Sequence, residues 1–147
     1  MIKNDECLGC GLANNKLKIY TIYENDYVNC ILDYQLFNDG HTLILPKDHY
    51  KENYELDVNT YKAIMDASVI ISKAINKVYK PDGITICQNG GVFSELNHYH
   101  MHVVPRYINQ DFANFYKEDG IFEEKSDEYF KEEMKKLKET IYDILKK

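Results

Sequence analysis

Three histidines alternate in His98-Tyr99-His100-Met101-His102, and Val103-Val104 follow them. On a β-strand successive side chains point to opposite faces. The pattern therefore predicts a strand over 98–104 with three imidazoles on one face and Tyr99, Met101 and Val103 on the other. Same-face neighbours on a strand lie ~6–7 Å apart. Imidazoles in such a row can bind metal, move protons or attack an electrophile. Two further histidines, His41 and His49, flank the apolar run Thr42 to Leu45. Near the N-terminus, Cys7-Leu8-Gly9-Cys10 is a Cys-x-x-Cys pair, which suits either zinc or thiol redox chemistry. A redox pair belongs at a helix N-terminus within a βαβ pattern, and no such pattern surrounds this one. Two thiolates and two imidazoles make a closed tetrahedral zinc site, for which His49 and His98 are candidates among the five histidines.

The elements that must position these groups follow from periodicity and turn signals. Lys18 to Tyr23 and Tyr27 to Asp33 read as a hairpin around Glu24-Asn25-Asp26. Asp39-Gly40 is a turn, followed by a short apolar strand over 41–45 that Pro46 closes. Asp57 or Asn59 can cap a long helix to about Tyr79, with Tyr61, Ile64, Met65, Ile71, Ile75 and Val78 at helical spacing. Pro81-Asp82-Gly83 ends it. Ile84 to Gln88 reads as a strand and Asn89-Gly90-Gly91 as a turn, and Pro105 is expected to stop the histidine strand. Residues 107–125 read as irregular, with Phe112, Phe115 and Tyr116 available to pack. Ser126 can cap a last helix striped by Phe130, Met134, Leu137, Ile141 and Leu145. Five strands, mostly sequential, with two helices predict an antiparallel α+β fold, a five-stranded sheet carrying the long helix and the C-terminal helix.

Composition narrows the function. The 147 residues suit one domain. The formal charge of −6 and the presence of a single arginine, Arg106, argue against binding to a nucleic-acid backbone. No apolar run approaches the ~18 residues of a membrane span, and the first twelve residues lack a signal-peptide core. The cytoplasm is the expected compartment, where Cys7, Cys10, Cys30 and Cys87 would be thiols or metal ligands.

Together these residues resemble the histidine triad (HIT) family. His98-Tyr99-His100-Met101-His102-Val103-Val104 fits its motif His-φ-His-φ-His-φ-φ, with φ apolar, and Pro105-Arg106 follows as in one large branch. The likeness extends to the Cys-x-x-Cys, Tyr23-Glu24-Asn25-Asp26, Ile31-Leu32-Asp33, Gly40-His41 through Pro46-Lys47-Asp48-His49, and Gln88-Asn89-Gly90. It covers roughly residues 7 to 107 of one HIT-like domain over 1–147, with 108–147 as a C-terminal extension.

The resemblance implies a five-stranded antiparallel sheet, usually in a homodimer. It implies a nucleotide hydrolase or transferase acting at the α-phosphorus. His100 would be the nucleophile and form a nucleotidyl-histidine that water hydrolyses, its other ring nitrogen held by a carbonyl near the third histidine. His102 would contact phosphate and move a proton, with His41 in support. Asp33 would meet the ribose hydroxyls, and Asn89 and Ser94 the phosphate. A purine nucleotide is the implied partner. Cys7, Cys10, His49 and His98 match a structural zinc set, which would make His98 a ligand and not a proton carrier.

One stretch departs from the family. Ser94 stands where many members have glutamine, and Glu95 replaces a hydroxyl. A carboxylate ~4 Å from a phosphate charge is repelled by ~4 kcal/mol at an effective dielectric near 20. Nucleoside phosphoramidates are therefore the expected substrates, with dinucleoside polyphosphates as the rival. A nucleotide-binding module with little turnover and a thiol redox protein are the readings from other classes.

Overall fold

The structure is a computed structural model that describes residues 6–117 and 124–147. Cys7 caps a short helix α1, Leu8–Ala13, its sulfur accepting the Cys10 backbone N–H. Strands β1 (Thr21–Glu24) and β2 (Val28–Leu32) form the expected hairpin, and β3 (Thr42–Pro46) follows. Helix α2, Val58–Tyr79, starts at Asp57, whose carboxylate accepts the Thr60 N–H at 2.8 Å. It ends where Lys80 turns left-handed (φ 49°) ahead of Pro81. Strands β4 (Gly83–Gln88) and β5 (Met101–Arg106) come next, then a 3-10 segment Phe112–Tyr116. Helix α3, Asp127–Leu145, is capped by Ser126.

The five strands make one antiparallel sheet in the order β1-β2-β3-β5-β4. The fold is thus the α+β arrangement that the sequence predicts. Every residue of β2 and β3 is buried, which requires cover on both faces. On one face Cys30, Leu32, Ile44, Met101 and Val103 pack under α2 and α3. On the other, Ile31, Leu43 and Leu45 pack under Leu12 and Ala13 of α1. The period-two alternation of each strand divides these two sets.

Four expectations need correction. The hydrogen-bonded ladder of β5 begins at Met101, so His98 and His100 lie just before it. It runs through Pro105 to Arg106, because Pro105 needs no donor at its place opposite Ile84. In α2 the buried stripe is Thr60, Ala63, Ile64, Ala67, Ser68, Ile71, Ala74 and Ile75, while Tyr61 and Met65 are more than half exposed. Three alanines let the helix axis approach the sheet and leave the larger side chains at its flank. In α3, Leu145 is likewise exposed, beyond the end of the sheet contact. Helix α1 was not expected at all. Six residues are too few for a periodic signal. The expected irregular stretch 107–125 lies outside the described residues from 118 to 123. No helix among the described residues is long and apolar enough to cross a membrane.

Candidate functional site

Tyr99, Met101 and Val103 point into the core beneath the helices. Alternation then sends His98, His100 and His102 to the opposite face, as predicted. The His100 and His102 rings are 5.0 Å apart. His98 turns away toward the N-terminus, where its ring centre lies 5.4 Å from that of His49.

That turn creates a four-residue cluster. His98 Nδ1 lies 3.6 Å from Cys7 Sγ and 3.5 Å from Cys10 Sγ, and His49 Nδ1 lies 3.3 Å from Cys10 Sγ. The four ligand atoms are within 4.8 Å of one another. Sulfur and nitrogen ligands on one tetrahedral zinc would be ~3.6 Å apart, given Zn–S near 2.3 Å and Zn–N near 2.0–2.1 Å. The far nitrogen of His98 decides the fit. Nε2 is 2.8 Å from the carbonyl oxygen of Pro46, so it carries the proton and donates, leaving Nδ1 with a lone pair toward the sulfurs. Metal-bound histidines are oriented in this way. Burial lowers the His98 pKa to about 4, which keeps that lone pair free. Gly9 makes the approach feasible: a Cβ there would sit 2.3 Å from His98 Cβ. None of the four cysteines forms a disulfide.

A second cluster has a different logic. His41 Nε2 lies 2.9 Å from His102 Nδ1 and 3.4 Å from Asp33 Oδ2, and Asp33 Oδ2 lies 4.0 Å from His102 Nδ1. The spacing alone would suit a metal. The tautomers do not. The Phe37 backbone N–H donates to His41 Nδ1 at 3.1 Å, so the ring proton must sit on Nε2. A metal on Nε2 would drive that proton toward another donor. His41 therefore donates to His102, whose own proton is held on Nε2. His100 Nδ1 donates to the carbonyl of His98 at 2.9 Å, which leaves Nε2 of His100 as a bare lone pair. The carbonyl belongs to the first histidine of the row, not to a residue near the third as expected.

Burial sets the charges. It pushes His102 down to about 3 and His41 well below the ordinary imidazole value, with His102 and His100 charges adding to the effect on His41. His100 is lowered by burial, against the opposing pull of the His98 carbonyl and the Glu95 charge. Burial raises Asp33 to about 7 against the Gln35 N–H that it accepts, and Glu95 raises it further. Neutral imidazoles and a half-protonated carboxyl share the site at neutral pH.

These groups open into a cavity of about 680 Å³, within the size range of small-molecule sites. Asp33, His41, Asn89, Glu95, His100 and His102 line it. Ser94 does not; its hydroxyl is buried and makes no hydrogen bond among the described residues. Of Phe112, Phe115 and Tyr116, the last two reach the cavity, Phe115 lying 5.1 Å from the His102 ring and 5.7 Å from His41, and Phe112 stacks behind Phe115. Tyr107 lies elsewhere, bonded to the Tyr79 carbonyl. Sequence reasoning missed Gln35, Phe37 and Lys117 on the cavity wall. Phe37 acts through a backbone N–H, which no residue type signals.

The loop between β2 and β3 carries Asp33, Phe37 and His41 and is tied at its base. Asn38 Nδ2 donates to the Pro105 carbonyl at 2.7 Å and to Gln110. Gly40, at φ +89°, lies flat against Tyr79, where a Cβ would come within 2.4 Å of the ring.

Comparison with known proteins now gives the lineage. The HIT domain description matches residues 15–109. The chain belongs to the HIT domain family. An uncharacterized HIT-like protein of Saccharolobus solfataricus is 32% identical over 140 residues, 94% of this chain and 99% of that one. The adenosine 5′-monophosphoramidase of Saccharomyces cerevisiae is 26% identical over 102 residues, 68% of this chain and 62% of the yeast protein. Among solved structures, a hypothetical histidine triad nucleotide-binding protein of Sulfolobus tokodaii superposes with a TM-score of 0.80 at 28% identity, covering 94% of this chain and 93% of that one. A Zn-bound histidine triad family protein of Mycobacterium smegmatis shares the fold, with a TM-score of 0.75, 24% identity and 95% and 96% coverage. The HIT family includes hydrolases that act on nucleotides.

Proposed function

We propose that this HIT-family protein hydrolyses nucleoside phosphoramidates or related purine nucleotide conjugates at the α-phosphorus. The observation that carries this reading is the tautomer of His100. With its proton committed to the His98 carbonyl, Nε2 is an unprotonated nucleophile facing a nucleotide-sized cavity. The activity named for the yeast relative supports the substrate class.

The proton inventory supports the chemistry. The His100 lone pair attacks phosphorus, and the bond to the leaving nitrogen breaks with its electrons on nitrogen. That nitrogen takes the Nε2 proton of His102. The His41 proton crosses the 2.9 Å contact to His102 Nδ1, and the Asp33 carboxyl reprotonates His41. His102 then has a bare Nε2 that accepts a proton from the incoming water, and the chain runs backward as the nucleotidyl-histidine is hydrolysed. Asp33 also offers an acceptor edge to a ribose diol, and Asn89 a donor to phosphate. Phe37, Phe115 and Tyr116 supply flat apolar surface for a base.

The donor set Cys7, Cys10, His49 and His98 suits zinc with no open position, hence a structural ion. When bound it would supply rigidity, joining α1 to the residue whose carbonyl orients His100. A homodimer in the cytoplasm completes the reading, with β4 at the edge of the sheet as the contact strand.

The test is hydrolysis of adenosine 5′-phosphoramidate by wild type and His100→Ala, with a diadenosine polyphosphate alongside. AMP release by wild type, reduced at least ~10³-fold in the variant, is expected. Preference for the polyphosphate would replace the substrate class and keep the nucleophile. AMP binding with no turnover of either compound would make the protein a binding module.

A further inference from the structure

Glu95 lines the cavity with His100 and His102, and its charge acts on both His100 and Asp33. Among the described residues no hydrogen bond or ion pair engages its carboxylate. Lys117 lines the same cavity and does not reach it. The neighbouring Ser94 hydroxyl is turned into the protein. This wall therefore offers no side-chain donor at either position, 94 or 95. It offers an acceptor-only group. The Glu95 carboxylate is therefore a negative charge on this wall that a bound conjugate meets. Such a group repels a second phosphate and satisfies itself on an N–H donor, best a charged one.

On the reading above, that the site cleaves phosphoramidates, we propose that Glu95 selects conjugates whose leaving group carries an ammonium or another cationic N–H donor. A simple amine-linked nucleotide then binds through its nucleotide half alone. A conjugate with a second, protonated nitrogen on the leaving chain also binds through Glu95.

The experiment uses two adenosine 5′-phosphoramidates of matched length, N-linked to butylamine or to 1,4-diaminobutane. For wild type, kcat/KM is expected to be about tenfold higher for the diamine conjugate, the scale of one charge-assisted hydrogen bond in a partly open site. The ratio should fall between 0.05 M and 0.5 M salt. Glu95→Gln should bring it near one, and Glu95→Lys should take it below one. A wild-type ratio near one, or a preference retained in Glu95→Gln, overturns the proposal. Calorimetric binding of both conjugates to His100→Ala reads the same selectivity without turnover. If wild type cleaves neither conjugate, the hydrolase reading falls, while the binding ratio still decides the role of Glu95.

Discussion

His98 is held by three separate attachments. Its Nε2 donates to Pro46, its Nδ1 faces two sulfurs, and its carbonyl takes the proton of His100. Gly9 has its α-carbon against the base of that side chain. Gly9→Ala must displace His98, because the added methyl would lie 2.3 and 2.4 Å from its Cβ and Cγ. Zinc affinity, measured by competition with a chromophoric chelator, should fall ~10–100-fold, the usual scale for a disturbed ligand support. Hydrolysis should fall with it. A variant that binds metal as wild type does would show that the contact is slack. The titration of the site is set one residue set away. Burial pushes His102 down to about 3, so it stays neutral above pH 5, and burial also lowers His100, so the imidazole limb of kcat is expected below its ordinary place near 6.5. Asp33 is raised, by burial, to about 7. Its proton is present below that value and lost above it. Turnover of amine-leaving substrates should therefore decline above pH ~7, by up to tenfold per unit. In Asp33→Asn that limb should vanish from the pH profile along with most of the rate. An unchanged limb would exclude Asp33 from the relay.

The loop between β2 and β3 has no regular structure, yet it supplies both Asp33 and His41 and the amide that fixes the His41 tautomer. Its order comes from side-chain bonds to the end of β5 and to residues after it. Asn38→Ala removes both bonds and the one that Gln110 Nε2 donates to Asn38 Oδ1 at 2.8 Å. A loss of about 1–2 kcal/mol of stability is expected from a buried carbonyl left unpaired. The kinetic signature should be a lower kcat with a raised KM, since the Phe37 amide that holds His41 and the Phe37 ring on the cavity wall move together. A pure stability effect would show as a lower Tm with normal kinetics on the folded fraction. Local order of this kind explains what could be read from the sequence. The strands and both long helices were legible within about three residues at each end, because alternation, caps such as Asp57 and Ser126, and Pro81 are local signals. The facing of His100 and His102 followed from period two. What stayed hidden depends on contacts between distant segments: the α1 helix around Cys7, the carbonyl that holds His100, the inward turn of Ser94, and the Phe37 amide that holds His41. Each is fixed by tertiary packing, which leaves no mark at fixed spacing.

At the scale of the whole molecule, the sheet is asymmetric. Strands β1 and β4 are both edges of the sheet, but α3 packs against β1, and β4 has only β5 as its main neighbour. Its residue Ile86 is 47% exposed and no charged residue lies in the strand. Unprotected edges of this kind recruit another strand. If the proposed homodimer forms along β4, Ile86→Lys should shift the protein toward monomer in sedimentation velocity at micromolar concentration. A wild type that sediments as a monomer would overturn the homodimer, and a dimer indifferent to the lysine would move the interface elsewhere.

The meeting of side chain and carbonyl in His98 has an optical consequence. Cobalt(II) in place of zinc would absorb visible light, with bands that shift when the ligand geometry changes. Because the same residue touches the cluster through its ring and His100 through its backbone, nucleotide occupancy of the cavity should perturb those bands. The protein would then report its own ligand binding as a colour change, with no label near the cavity. An invariant spectrum on adding AMP would mean that the His98 backbone insulates the cluster from the cavity.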